Sequence, residues 1–288
     1  MRPRWSSSSL SSLHDSRRIR AVVAYDGTDI AGFQWQPGRR TVQGLLQEGL
    51  LKLTGEQVTV TGAGRTDAGV HASGQVLHFD SRWSQDLAAL RRGWNAVLPR
   101  DVAIQALDEA PPGFHARFSA LSRSYSYRLL VRPERDPLRR RFTLWIGKAL
   151  DLGVMQAAAA RLVGCHDFGG FGRPMRPGGS TVRQMQLCQL QGEGDEWVLT
   201  LRANAFLRHQ VRRMVGALID IGRGQASLEA LDQTLAGQAS ELRPRRVPPQ
   251  GLVLKSVDYP SDEAIAAALS RVPTGDEDDD EDLYAEGG

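Results

Sequence analysis

The ten residues from Gly62 to His71, Gly-Ala-Gly-Arg-Thr-Asp-Ala-Gly-Val-His, bring the most chemistry into the shortest stretch of this 288-residue chain. Asp67 offers a carboxylate able to act as nucleophile or base. Arg65 offers a cation two residues away, and the glycines allow backbone conformations that let a ligand come close. Two readings stand side by side. Asp67 either pairs with Arg65 or caps a turn in a tight loop, or it works on a bound substrate. Phosphate cradling is excluded by spacing: Gly62, Gly64 and Gly69 do not make G-x-G-x-x-G, no G-K-[ST] follows, and the loop leads into a strand instead of a helix.

A second cation comes from Arg212. If Leu207 to Ile219 is helical, Leu207, Val211, Met214, Val215, Leu218 and Ile219 form its apolar arc, with Arg212 at the border and Arg213 pointing away. A border arginine can lay its stem on the core and send its guanidinium into a cleft. It can equally be an ordinary surface ion pair. Cys165 and Cys188 make neither a disulfide framework nor a repeated metal-ligand spacing. Cys165-His166 lacks the second pair that a zinc site needs, so no metal is expected. His71, His78, His115, His166 and His209 are scattered without forming a triad, and a structural hydrogen bond is expected of His71.

The elements that must position these groups follow from patterning. Arg20–Tyr25 reads as a strand stopped by Asp26-Gly27. Val42, Leu45, Leu46, Leu50 and Leu53 recur with helical spacing, with Thr41 as N-cap and Gly55 as C-terminal stop. Strands follow around Val58–Ala63 and Gln75–Phe79. Ser84 then caps a helix carrying Leu87, Leu90, Trp94 and Leu98, before a strand at Val102–Leu107. The order is β-α-β-β-α-β. It recurs in Ser124–Val131, Asp151–Leu162, Met185–Leu190, Trp197–Leu201, Leu207–Ile219 and Leu252–Val257. The expected fold is therefore α+β: two ferredoxin-like halves, 19–112 and 113–262, in one extended, mostly antiparallel sheet with a central cleft.

Composition places limits on function. With 41% hydrophobic and 24% charged residues the chain has globular usage, and no apolar run approaches a bilayer-spanning length. Residues 1–18, rich in Ser and Arg, read as a disordered leader, and 263–288 as an acidic disordered tail; nothing in the site is expected beyond Pro260. The net charge of +3 includes an unbroken run of seven acids, Asp276–Asp282, so the remainder is far more basic and suits a polyanionic partner. Among the flanking arginines, which include Arg39, Arg40, Arg123, Arg208 and Arg213, most are expected to be solvated, with enough left to contact phosphates.

These segments resemble the tRNA pseudouridine synthase A family. GAGRTDAGVHASGQVLHF is similar to its AGRTDAGVHA signature and GQV strand. AYDGTDIAGFQWQP, FHARFSALSRSYSYRL, DFGGF, ANAFLRHQVRRMVGALIDIG and GLVLKSVDYP match further family segments in one consistent order from Arg20 to Pro260. One departure is Phe33-Gln34-Trp35-Gln36, where the family commonly has Trp-Gln-x-Gln. The resemblance implies an isomerase that converts uridine to pseudouridine at positions 38, 39 and 40 of the tRNA anticodon stem-loop, without a cofactor. It implies Asp67 as nucleophile and Arg212 as its cation. Tyr125 is implied as the aromatic residue that stacks on the uracil and relays a proton. By their charge, Arg65, Arg39, Arg40 and Arg208 are expected on the RNA. A homodimer is implied as well, while the two cysteines, without a disulfide framework, suit a reduced, cytoplasmic setting. The reading weighed against it is a non-catalytic RNA-binding module, which two basic ferredoxin-like halves would suffice to make.

Overall fold

The computed structural model describes residues 16–269. The first half runs β1 (Arg17–Tyr25), α1 (Val42–Thr54), β2 (Thr61–Gly62), β3 (His71–Ser81), α2 (Leu87–Val97) and β4 (Val102–Glu109). The second runs β5 (Ser122–Val131), β6 (Leu144–Ile146), α3 (Leu152–Arg161), β7 (Gly164–Asp167), β8 (Val182–Glu193), β9 (Glu196–Ala203), α4 (Gln210–Gly222), α5 (Leu228–Leu235) and β10 (Leu252–Asp258), and α6 (Asp262–Leu269) follows. All ten strands lie in one sheet of order β4-β1-β3-β10-β5-β9-β8-β7, with β2 on β3 and β6 on β5.

Each half has the ferredoxin-like strand order. In the first it is β4-β1-β3-β2 and in the second β10-β5-β9-β8, so both place their fourth, first, third and second strands in that sequence. The halves meet where β3 pairs in parallel with β10, Val253 opposite His71 and Leu254 opposite Ala72. Leu254 is also the partner of Tyr125 on β5. The chain leaving the Gly62–His71 loop therefore starts β3 two strands from Tyr125, roughly 10 Å at ordinary strand spacing.

Local chemistry sets the helix ends. Thr41 accepts from the Gly44 N–H, and Gly55 closes α1 in the left-handed conformation at φ 74°. The expected cap of α2 at Ser84 is displaced to Asp86, whose carboxylate accepts from the Ala88 N–H. The strand expected at Val58–Ala63 contracts to Thr61–Gly62, and α4 starts at Gln210 instead of Leu207. Val211, Met214, Val215, Leu218 and Ile219 are buried as its periodicity requires. Among the described residues no helix is long and apolar enough to cross a membrane.

At its carboxyl end the chain is fastened beyond β10. Ile265 on α6 packs with Ala63, Val76, Phe114 and Ala116, and Asp262 accepts from Arg20 at 2.9 Å. The Asp276–Asp282 run lies outside the described residues. Truncation after Leu269 is expected to leave the urea midpoint unchanged. Truncation after Asp262 exposes the small cluster and is expected to cost about 2 kcal/mol, the order of one buried isoleucine. Equal midpoints for the two truncations would contradict this packing.

Candidate active site

The loop between β2 and β3 is held from both sides, which fixes its carboxylate. The Ala63 N–H donates to Val76 O at 2.7 Å and the Phe33 N–H to Thr66 O at 3.0 Å. The Tyr25 and Thr66 hydroxyls are hydrogen-bonded at 2.8 Å, and the fully buried Gln75 donates to Gly64 O at 2.8 Å. Gly32 and Gly69 are required at φ 98° and 77°; a Cβ on Gly32 would come within 2.8 Å of Thr66 O. Phe33, where the sequence departs from the family pattern, is buried against Gly62 beneath the loop, and Trp35 is exposed. Burial pushes the Tyr25 phenol up to about 12 despite its bonds to Thr66 and Gln75. It therefore serves the loop as a neutral group.

Asp67 pairs with Arg212. The Arg212 Nη1 donates to Asp67 Oδ2 at 2.8 Å, and its Nε donates to Val247 O at 2.8 Å. The arginine is 8% exposed while its aliphatic stem leaves the buried face of α4, as its border position implied. This pair joins the two halves: the carboxylate comes from the first, the guanidinium from the second. The charge of Asp67 is met by a cation 145 residues away in sequence. A mostly buried guanidinium delivering two charge-assisted hydrogen bonds is a built contact, unlike a solvated surface pair.

Tyr125 is buried at the same face of the sheet, its ring edge-to-face with Phe206 at 5.2 Å. Burial raises its phenol well above the ordinary value, with the neighbouring Tyr25 and Asp67 adding to the rise and Arg123 opposing it. Tyr125 thus rests as the neutral phenol. Tyr127, two residues on, is fully buried and donates to Pro248 O at 2.7 Å. With Arg212 on Val247, it ties the 247–248 segment across the back of the site.

The other expected residues divide. Arg65 is exposed on the loop, and Arg208 is exposed just before α4, its N–H bonded to Arg173 O at 3.0 Å. Arg39 is exposed in a turn. Arg40 closes on Asp101 through two hydrogen bonds of 2.8 and 2.7 Å, so its guanidinium is already engaged. His71 accepts from the Gly27 N–H at 3.0 Å through Nδ1 and bonds Arg141 O at 2.9 Å through Nε2, the structural role expected of it.

Two residues were missed as parts of the site. Arg123, expected among the solvated arginines, donates to Ala63 O, Arg117 O and Asn204 O and clamps the Gly62–His71 loop to the end of β9. Its place two residues before Tyr125 on β5, hence on the same face, was the available signal. His209 places Nε2 3.6 Å from Asp67 Oδ1. Its spacing of three from Arg212 hinted at this, but a turn just before the helix brings it there.

An ionic Asp-Arg pair beside a buried tyrosine, at the seam of two ferredoxin-like halves, defines a carboxylate-centred site. Among the described residues no three His, Cys, Asp or Glu side chains gather as a metal site. The family model described as tRNA pseudouridine synthase matches residues 21–119 and 158–260. The tRNA pseudouridine synthase A of Herminiimonas arsenicoxydans is 42% identical over 248 residues, covering 85% of this chain and 90% of its own. That of Halalkalibacterium halodurans is 40% identical, covering 82% and 90%. That of Chloroflexus aurantiacus is 43% identical, covering 85% and 89%. The chain belongs to the tRNA pseudouridine synthase family.

Proposed function

We propose that this protein isomerises uridine to pseudouridine in tRNA, with Asp67 as the nucleophile, Arg212 as its partner and Tyr125 as the aromatic acid-base. The observation that carries this is the 2.8 Å contact of Arg212 with Asp67 beneath a loop whose sequence is the family signature. In the reaction the N1–C1′ bond breaks, the base turns, and C5 bonds C1′. The C5 proton is lost and N1 gains one, so the product is an isomer and no electrons are exchanged. A carboxylate that adds to uracil C6, or that captures or deprotonates the sugar, serves either route. One oxygen of Asp67 is held by Arg212, whose charge also offsets a carboxylate that would otherwise repel RNA phosphates. Tyr125 stacks on the turned-out base and moves the C5 proton.

The substrate region is the anticodon stem-loop at positions 38, 39 and 40. Arg65, Arg39 and Arg208 meet phosphates, Arg40 contributing through the loop it closes. The working unit is a homodimer in the cytoplasm, with halves 19–112 and 113–262 flanking the RNA cleft. Transcripts carrying tritium at uridine C5 test this, because C5 must shed its hydrogen. Tritium release is expected from unmodified tRNA and lost when uridines 38 to 40 are replaced by cytidine. Undiminished release from the replaced transcript would overturn the assignment of positions. Replacing Tyr125 by Phe keeps the ring and removes the proton relay. A fall in the single-turnover rate of roughly 10- to 100-fold with tRNA affinity unchanged is expected.

A further inference from the structure

His209 is the one residue other than glycine at positive φ among those described, at φ 65°. A left-handed backbone costs an L residue free energy and persists where surrounding contacts demand it. As N-cap of α4 it forms no side-chain capping bond. The turn instead sends the imidazole back over the start of the helix, with Nε2 3.6 Å from Asp67 Oδ1 and 3.1 Å from Arg246 Nη1. A guanidinium has no lone pair to offer, so Arg246 donates and Nε2 accepts, leaving the ring proton on Nδ1.

The two oxygens of Asp67 are therefore unequal. Oδ2 receives the Arg212 N–H, whereas Oδ1 faces an imidazole nitrogen whose lone pair is already directed at Arg246. We propose that neutral His209 is the positioning residue that leaves Asp67 Oδ1 as the reacting oxygen. Protonation of Nε2 would turn it into a donor, break its bond from Arg246, and seize Oδ1. This rests on the reading of Asp67 as the nucleophile. The charges facing the ring come from every element around it: Asp67 on the catalytic loop, Arg208 before α4, Arg212 on α4, and Arg246 on the segment leading to β10. Partial burial holds the imidazole below its ordinary value, Asp67 opposes this, and the three arginines reinforce it. The neutral form is thus the resident one at neutral pH, and loss of activity belongs on the acid side.

Two measurements test this. The first follows the His209 ring by NMR titration of the full-length protein, independently of activity. Asp67→Asn should lower the His209 pKa and Arg246→Gln should raise it, each by about half a unit or more. A titration unmoved by Asp67→Asn would overturn the coupling. The second is the single-turnover rate against pH on tRNA. Below the His209 pKa the parent should lose rate about tenfold per unit. His209→Asn, which suits a left-handed position and does not titrate there, should shift that acid limb to lower pH whatever the size of its rate at neutral pH. A variant that keeps the parent's acid limb, or loses rate evenly at all pH values, would overturn the proposal. Absence of pseudouridine from the parent at every pH would instead strike the functional reading, with the NMR coupling still to be read by itself.

Discussion

Replacing Asp67 by Asn is expected to reduce pseudouridine formation by roughly four orders of magnitude or more, below detection in ordinary assays. The amide keeps the size of the side chain and can still accept from Arg212 Nη1, now 2.8 Å from Asp67 Oδ2. What disappears is the charge and nucleophilicity. No other carboxylate lies within the Gly62–His71 loop to replace it. Stability should drop by only about 1 kcal/mol, because one charge-assisted hydrogen bond becomes a neutral one. tRNA affinity should be unchanged or slightly higher at low salt, since a negative charge has left an RNA groove. A purely structural Asp67 would give the opposite pattern: lower melting temperature, weaker binding and a modest change in yield. Mass spectrometry of the variant excludes deamidation back to aspartate.

Arg212→Lys keeps the charge and is expected to lower the rate by roughly 100- to 1,000-fold with a much smaller loss of tRNA affinity. Geometry is the reason. Arg212 uses Nη1 on Asp67 and Nε on Val247 O at the same time, joining the Gly62–His71 loop to the segment that Tyr127 also holds. A lysine ammonium lies beyond the position of Nε and has no donor along its stem. It can reach one partner and must release the other. Single-turnover rates and filter-binding affinities measured on the same tRNA separate the two effects. An unchanged rate would return Arg212 to the role of an ordinary ion pair.

Much of this architecture was legible because its signals are local. The spacing of Val42, Leu46 and Leu50, with Thr41 before and Gly55 after, specifies α1 and both its caps. The arc on α4 placed Arg212 at a border, and the border position is what allows a buried stem with its guanidinium on Asp67. Elements set by tertiary contacts were not legible. The ladder with β3 is confined to Thr61–Gly62 because Val60 is taken up by α1, its carbonyl accepting from the Gln43 amide and its N–H donating to Gln47 Oε1. Ser84 and Asp86 are both good caps by type, so the choice fell to the approach of the chain. The insertion of β10 between β3 and β5 leaves no local trace, since its partners lie far away in sequence. Leu207 fits the helical period, yet the left-handed His209 interrupts it, and nothing in a histidine announces a positive φ. That single backbone departure carries the imidazole to Asp67.

The most direct measurement is conversion itself. Protein freed of metal by chelation is incubated with a uridine-labelled tRNA transcript and no added cofactor, and the RNA is digested by nuclease and separated by chromatography. A carboxylate-driven isomerisation predicts a new pseudouridine peak that grows with time and is missing with Asp67→Asn. A transcript that binds the parent protein tightly yet yields only uridine would contradict the account.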